Sequence, residues 1–170
     1  VTMTIATPAV VTLTAHGLIA GSPISFATTG ALPTGVTAGT IYYVIATGLT
    51  ADAFQFSATL AGAAVNTSGT QSGVHTLSKI FTANAEFGWL VYNDVLYGGN
   101  AVETTFSWDG TNFVDIAAAP KGNILESFED RLFISGVTAE PLTYYWSNVG
   151  APTTWTGTDL AKPVGTDAVT

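Results

Sequence analysis

The sequence predicts an all-β protein, and three observations support this prediction. Short runs of β-branched and aromatic residues alternate with polar residues, which is the period-two pattern of half-buried strands. Glycine, proline, asparagine and serine cluster between these runs, where tight turns require them. A strand-rich segment of the second half occurs twice. We therefore expect a small N-terminal β-sandwich or barrel, followed by propeller-like antiparallel β-blade repeats.

Charge divides the chain into two predicted domains. Between residues 1 and 78 the only charged residue is Asp52, whereas residues 79–170 carry the other eleven acidic residues and all four basic residues. We place the boundary near Lys79. The sandwich or barrel then occupies residues 1–78, and the two repeats occupy residues 79–170.

The first domain contains six predicted strands. The motif PISFAT puts Ile24 and Phe26 on one face, and AFQFSA puts Phe54 and Phe56 together around Gln55. VVTLTA near the N-terminus has the same alternation. The intervening stretches are rich in glycine and proline, so short strands joined by turns should form a single small β-domain.

The second domain contains a duplicated segment. NDVLYGG at residues 93–99 is matched by EDRLFISG at residues 129–136, and TFSW at residues 105–108 is matched by TYYW at residues 143–146. The spacing is 36 residues for the first pair and 38 for the second, which a two-residue loop insertion explains. The predicted repeats cover about residues 87–118 and 123–157. Hairpin turns are expected at Asn93–Asp94, Glu129–Asp130 and Asp109–Gly110.

A repeat of roughly 40 residues with several strands per unit is typical of propeller blades. Two blades cannot close a ring, so further chain or other copies would have to supply the remaining blades. The start at Val1 without methionine, and the strand-like ending GTDAVT, favour a longer parent chain.

Composition argues against several functions. Twelve acidic and four basic residues give a net charge of −8, which disfavours direct sequence-specific nucleic-acid binding. No apolar run approaches the roughly 20 residues of a membrane span, and no signal-peptide pattern is visible. The absence of cysteine excludes disulfides and thiolate metal sites.

Both halves of the chain resemble parts of tailed-bacteriophage virion proteins. The motifs AHGL, LPTGVTAGTIYYV and FQFSAT resemble a small β-domain that recurs in such proteins. The motifs FEDRLFISG and YYWSNVGAPTTWTG are similar to propeller blades of phage tail hub, nozzle and fibre-associated proteins. The resemblance implies a structural role in the virion, which assembles in the host cytoplasm. It implies copies of the same chain and other virion proteins as partners, and no catalytic motif.

The candidate catalytic and metal-binding groups are few. His16 and His75 have no acidic neighbour in sequence, and His16 is expected to bond to the backbone of its own turn. Glu126, Glu129 and Asp130 could suggest a glycosidase, but sequence neighbours at a hairpin turn rarely face each other across a sugar. The segment DGTN at residues 109–112 lacks the remaining ligands of a calcium loop. We therefore expect no enzyme activity, no catalytic or metal site and no cofactor.

The aromatic residues of the second domain are the remaining candidates. Trp108 and Trp146 occupy matched repeat positions and are expected in the core. Trp155, flanked by threonine and glycine, is expected on the surface, and Trp155 and Tyr145 are the candidate contacts for a glycan or protein partner.

The expected function is a non-enzymatic structural component of a tailed-phage virion, in the tail hub, nozzle or fibre region. The alternatives are a receptor-recognition module that binds host surface glycan and a capsid decoration protein. A glycoside hydrolase is the least favoured of the four.

Overall fold

The computed structural model describes residues 1–82, 84–156 and 161–163, and all regular secondary structure in these ranges is β-strand. This confirms the all-β prediction. The chain divides into two compact units, Val1–Phe81 and Thr82–Thr170. The sequence prediction placed the boundary after Ser78. Two predictions, the strand entry at residues 165–170 and the end of the second repeat at Gly157, lie outside the described residues.

The first unit is one curled antiparallel sheet of six strands in the order β1-β2-β5-β4-β3-β6. Its strands are β1 (Thr2–Met3), β2 (Val11–Thr12), β3 (Pro23–Thr28), β4 (Ile41–Ile45), β5 (Ala53–Ser57) and β6 (His75–Lys79). The curl brings the first strand close to the last. The backbone nitrogen of Val1, next to β1, donates to the carbonyl oxygen of His75 on β6 at 2.9 Å. The Gln71 side-chain amide also donates to the Met3 carbonyl at 2.7 Å.

One side of this sheet carries the core of the first unit. Ile24 and Phe26 on β3 are at most 1% exposed, as are Phe54 and Phe56 on β5. The ring centroids of Phe26 and Phe56 lie 5.0 Å apart. The alternation seen in PISFAT and AFQFSA therefore predicted the buried face correctly, since successive side chains of a strand point to opposite faces.

The second unit consists of two four-stranded antiparallel sheets, in the orders β10-β9-β8-β7 and β11-β12-β13-β14. The first sheet contains β7 (Gly88–Tyr92), β8 (Val95–Gly99), β9 (Phe106–Trp108) and β10 (Phe113–Asp115). The second sheet contains β11 (Ile124–Phe128), β12 (Arg131–Ser135), β13 (Thr143–Trp146) and β14 (Ala161–Pro163).

Each sheet of the second unit begins with a two-residue hairpin. Asn93 and Asp94 join β7 to β8 with φ angles of 51° and 61°, and Glu129 and Asp130 join β11 to β12 with φ angles of 46° and 60°. Positive φ at both central residues is the type I′ turn, whose twist suits adjacent antiparallel strands. Both predicted turns are confirmed.

The third strands of the two sheets do not align as the sequence match suggested. Trp108 lies opposite Leu96 in the first sheet. The residue equivalent to Leu96 is Leu132, and its neighbour is Ser147, which directly follows β13 and whose backbone nitrogen donates to the Leu132 carbonyl at 2.9 Å. Trp146 instead lies opposite Phe133. The structural offset of this strand is thus 39 residues, and the predicted equivalence of Trp108 with Trp146 is wrong by one position.

The two sheets of the second unit pack against each other through a shared core. The buried members are Tyr97, Ile116, Ala119, Leu125, Leu132, Ile134 and Trp155. Leu90, Tyr92 and Val95 of the first sheet, with Tyr145 of the second, lie at its margin. Gly88 allows close approach here, because a Cβ at this position would overlap the backbone carbonyl of Asn123.

Candidate functional site

The side of each sheet that faces away from the shared core of the second unit carries exposed apolar residues. Because Leu90, Tyr92 and Tyr97 point into the core, their strand neighbours point the other way. We define face A as that outward side of the first sheet, formed by Trp89, Val91, Leu96, Phe106, Trp108 and Phe113. Phe106 is itself buried, and so is Asp115, which lies beside it on the same side. Face B is the outward side of the second sheet, formed by Glu126, Phe128, Arg131, Phe133, Tyr144 and Trp146.

Face A is a row of touching aromatic rings. The Trp89 ring is stacked on Phe87, with centroids 5.0 Å apart, and meets Phe106 edge to face at 5.8 Å. Phe106 lies 4.8 Å from Phe113 on the next strand. Gly98 forms the floor beneath the rings, since a Cβ there would overlap both Phe106 and Trp89.

A large part of face A is open to solvent. Val91 is 68% exposed, Trp89 is 54% exposed and Trp108 is 46% exposed. Contiguous exposed apolar surface of this kind typically marks a binding site or an interface.

Face B has the same character with added charge. Phe133 contacts Phe128 at 6.2 Å and Trp146 at 6.0 Å between ring centroids. Phe128 is 63% exposed, and Glu126 is exposed beside it on β11. The Arg131 guanidinium donates from Nη1 to the Ser147 carbonyl at 2.8 Å, which holds this side chain along the sheet.

The predicted exposure of Trp155 is wrong. The side chain is only 7% exposed and belongs to the core of the second unit, and its Nε1 donates to the Pro152 carbonyl at 3.1 Å. The segment after β13 folds back over the core, an arrangement that polar flanking residues do not reveal. Trp155 is therefore not available for stacking on a glycan.

Tyr145, the other predicted contact, lies on the core side of β13 and is partly buried. Its hydroxyl donates to Glu140 Oε2 at 2.6 Å. This hydrogen bond, with a smaller effect of burial, raises the pKa of Tyr145. A partner contact through Tyr145 stays a prediction.

Trp108, predicted in the core, instead lies on face A and is about half exposed. Trp146 is partly buried on face B. Both tryptophans sit on outward sides because the shared core is built from the alternate residues of their strands.

The two histidines have structural roles. Nδ1 of His16 accepts a hydrogen bond from the Leu18 backbone at 3.0 Å, which confirms the predicted turn contact. The His16 ring packs edge-on against Phe54 at 5.1 Å, and its Nε2 is buried without a hydrogen-bond partner. The ring nitrogens of His75 lie 2.8 Å from Thr28 Oγ1 and 3.1 Å from Gln71 Oε1.

The carboxylates considered for catalysis serve turns or face solvent. Glu126 and Glu129 are exposed. Asp130 accepts a hydrogen bond from the Tyr92 hydroxyl, which bridges the two sheets and raises the pKa of Tyr92, with a further contribution from burial. No cluster of three or more histidine, aspartate or glutamate side chains suited to a metal occurs within the described part of the chain.

Asp109 caps its own hairpin loop, as the turn prediction requires. Its carboxylate accepts from the backbone of Asn112 at 2.7 Å and from the backbone of Thr111 at 2.8 Å. Hydrogen bonds from the Asn112 backbone and side chain and from Thr111 lower the pKa of Asp109. The group is therefore engaged locally, which agrees with the hairpin interpretation of DGTN.

Comparison with protein-family models, with curated proteins and with solved structures gives no match for this chain. In the described ranges there is no helix with the length and apolar character needed to cross a membrane.

Face A was not predicted from the sequence, although one signal for it was present. The run Trp89-Leu90-Val91-Tyr92 is continuously apolar, and such a run is typical of a strand buried on both faces. The structure covers only one of these faces, with the core of the second unit. The other side of the run belongs to face A, where Val91 is 68% exposed and Trp89 is 54% exposed.

Proposed function

We propose that this chain is a non-enzymatic structural component of a tailed-phage virion, in the tail hub, nozzle or fibre region. The resemblance of its motifs to virion β-domains motivates the placement. The observation that carries the structural role is the pair of exposed aromatic faces on adjacent sheets of the second unit. Such faces suit assembly, because burial of apolar area drives protein association.

We also propose that the two sheets of the second unit are neighbouring blades of a propeller. Two consecutive four-stranded antiparallel sheets that pack face to face are the arrangement expected of neighbouring propeller blades. In this proposal the sheets provide stiffness and their faces provide the contacts between subunits.

Labelling of intact particles tests this function. Tailed particles purified from the source of this sequence should retain the chain after high-salt washing, and gold-labelled antibody should decorate the tail. Decoration of the head would favour the capsid-decoration alternative and contradict the tail placement. Absence of the chain from washed particles would overturn the virion role altogether.

A second candidate function is recognition of a host surface glycan. The observation in its favour is the exposed pair Trp89 and Trp108 on face A, since flat aromatic rings provide stacking platforms for sugars. Trp108→Ala should abolish binding on a broad glycan array, whereas Tyr144→Ala on face B, whose side chain is similarly exposed, should not. No binding of the wild-type chain across the array would reject this candidate.

A further inference from the structure

The two sheets of the second unit pack head to tail, which means that each sheet contributes a different one of its two sides to the junction. The first sheet contributes Leu90, Tyr92 and Tyr97 to their junction. Since equivalent residues of the first two strands are 36 positions apart, the counterparts in the second sheet are Glu126, Phe128 and Phe133. These counterparts lie on face B. The side of the first sheet that is buried in the junction therefore corresponds to the side of the second sheet that is exposed as face B.

The same relation holds in the opposite direction. The second sheet contributes Leu125, Leu132 and Ile134 to the junction. Their counterparts in the first sheet are Trp89, Leu96 and Gly98, which form face A and its floor. Each open face thus corresponds to one half of the junction already formed within the chain.

We propose that face A of one copy of this chain packs against face B of a second copy, in the manner of the junction between its own two sheets. The inference rests on the proposed function, because it supplies the mode of assembly that a structural module requires. The partner is a second copy because the chain carries both halves of the contact, one on each outer side of the second unit.

Three observations fit this occupant. Strand β7 carries apolar side chains on both sides, yet Val91 on its outward side is 68% exposed. Phe128, the counterpart of the covered residue Tyr92, is 63% exposed on face B. The third is the continuity of the arrangement, since the proposed contact repeats one that the chain already makes between neighbouring sheets.

The contact between copies should be weaker than the junction within the chain. Leu90 is replaced by Glu126 at the equivalent position, and Val95 is replaced by Arg131. Phe128 also lacks the hydroxyl through which Tyr92 binds Asp130. A more polar contact is typical of subunits that associate after folding separately.

Head-to-tail contacts have a defined consequence for symmetry. Contacts between two different patches form closed rings or open fibres, whereas a single self-complementary patch forms a two-fold dimer. Two to four copies would provide the roughly four to eight sheets with which propellers close. We therefore expect an oligomer of two to four copies that is held by contacts between unlike faces.

Self-association of the purified chain tests the proposal. Light scattering after size exclusion should show a concentration-dependent oligomer. Val91→Arg on face A and Phe128→Arg on face B should each weaken self-association by at least about tenfold, because an arginine in an apolar contact loses solvation. Val149→Arg replaces a similarly exposed apolar residue of the same unit outside both faces, and it should leave the oligomer unchanged.

A mixture of the two face variants distinguishes head-to-tail packing from other modes. The Val91→Arg chain retains face B and the Phe128→Arg chain retains face A, so the mixture should form a one-to-one heterodimer that grows no further. Circular dichroism of each variant should match that of the wild type.

A wild-type chain that stays monomeric at high concentration would overturn the proposal. So would a single variant that pairs with itself as tightly as the wild type. Neither result bears on particle labelling, which tests the proposed function separately.

Discussion

Glu129 occupies a backbone conformation that its side chain does not favour. It has a φ of 46° as the first of the two central residues of a type I′ turn, and the equivalent residue of the first sheet is Asn93. Asparagine and glycine adopt positive φ more readily than glutamate does, because a longer side chain gains no local hydrogen bond there.

We expect Glu129→Asn to raise the free energy of unfolding by about 0.5–1 kcal/mol, since it relieves this strain. Urea unfolding followed by tryptophan fluorescence will measure it, because all four tryptophans lie in the second unit. The reciprocal change Asn93→Glu should destabilise by a similar amount. An equal stability for both variants and the wild type would contradict the turn assignment.

Glu103 makes the stability of the second unit dependent on pH. Its carboxylate accepts hydrogen bonds from the backbone and hydroxyl of Thr82 and from the Asn100 amide. Partial burial opposes ionisation, but these hydrogen bonds outweigh it and lower the pKa of Glu103 below its ordinary value of 4.5. The stabilisation is therefore complete above pH 4.5 and is lost as the pH falls through the lower folded value.

Glu103→Gln should reduce the free energy of unfolding by about 1 kcal/mol at neutral pH, because glutamine cannot accept all of these hydrogen bonds. The difference from the wild type should shrink in urea titrations as the pH falls below 4.5, because the lowered pKa of Glu103 places protonation of its carboxylate there. The exposed residue Glu86 offers a control, and Glu86→Gln should be as stable as the wild type at neutral pH, because surface substitutions of this kind have little effect. A difference that does not change with pH would exclude this role of the Glu103 charge.

At the scale of the strands, local signals predicted most of the fold. Alternation identified the strands of the first unit, and the polar pairs Asn93–Asp94 and Glu129–Asp130 identified the hairpins, because both signals act between close neighbours in sequence. The register of β13 was not predictable in this way. A one-residue change in the connection before it alters which side chains reach the core, and only the pairing with β12 decides the outcome.

The candidate site was predictable only in part, because the exposure of its residues depends on contacts between distant parts of the chain. The concentration of aromatic residues in the second domain pointed to the correct region. Their individual exposure depends on which side of each sheet meets its neighbour, which is a long-range property. As a consequence, Trp108 was predicted in the core but is exposed, and Trp155 was predicted on the surface but is buried. The apolar run around Leu90, in contrast, carried a usable signal for face A.

Close approach of the two sheets of the second unit depends on Gly88. A Cβ at this position would overlap the backbone of Asn123, which cannot move without displacing the start of β11. Gly88→Ala should therefore lower the free energy of unfolding by about 1–3 kcal/mol, as overpacking does elsewhere. Tryptophan fluorescence in urea will report it, with exposed Glu86→Ala as a control within about 0.5 kcal/mol of the wild type. Unchanged stability would show that the sheets tolerate a wider separation.

At the scale of the whole molecule, charge is concentrated in the second unit. The first unit carries Asp52 and Lys79 as its only acidic and basic residues, so the net charge of −8 belongs to the second unit. Copies that meet through faces A and B must therefore bring like-charged units together.

Self-association should consequently tighten with ionic strength. Between roughly 20 and 500 mM sodium chloride the repulsion between acidic units is progressively screened. Sedimentation equilibrium across this range should show a lower dissociation constant at higher salt. Weaker association at higher salt would contradict a contact that is limited by repulsion between the acidic units.

The curled sheet of the first unit has a bearing on aggregation. Unprotected sheet edges recruit strands from other molecules, and proteins commonly blunt them with short edge strands or with lysine. Here one edge strand has two residues, the other ends in Lys79, and the bond from Val1 to His75 draws the two margins together. The first unit therefore offers little template for amyloid-like stacking, even though it is almost devoid of charge.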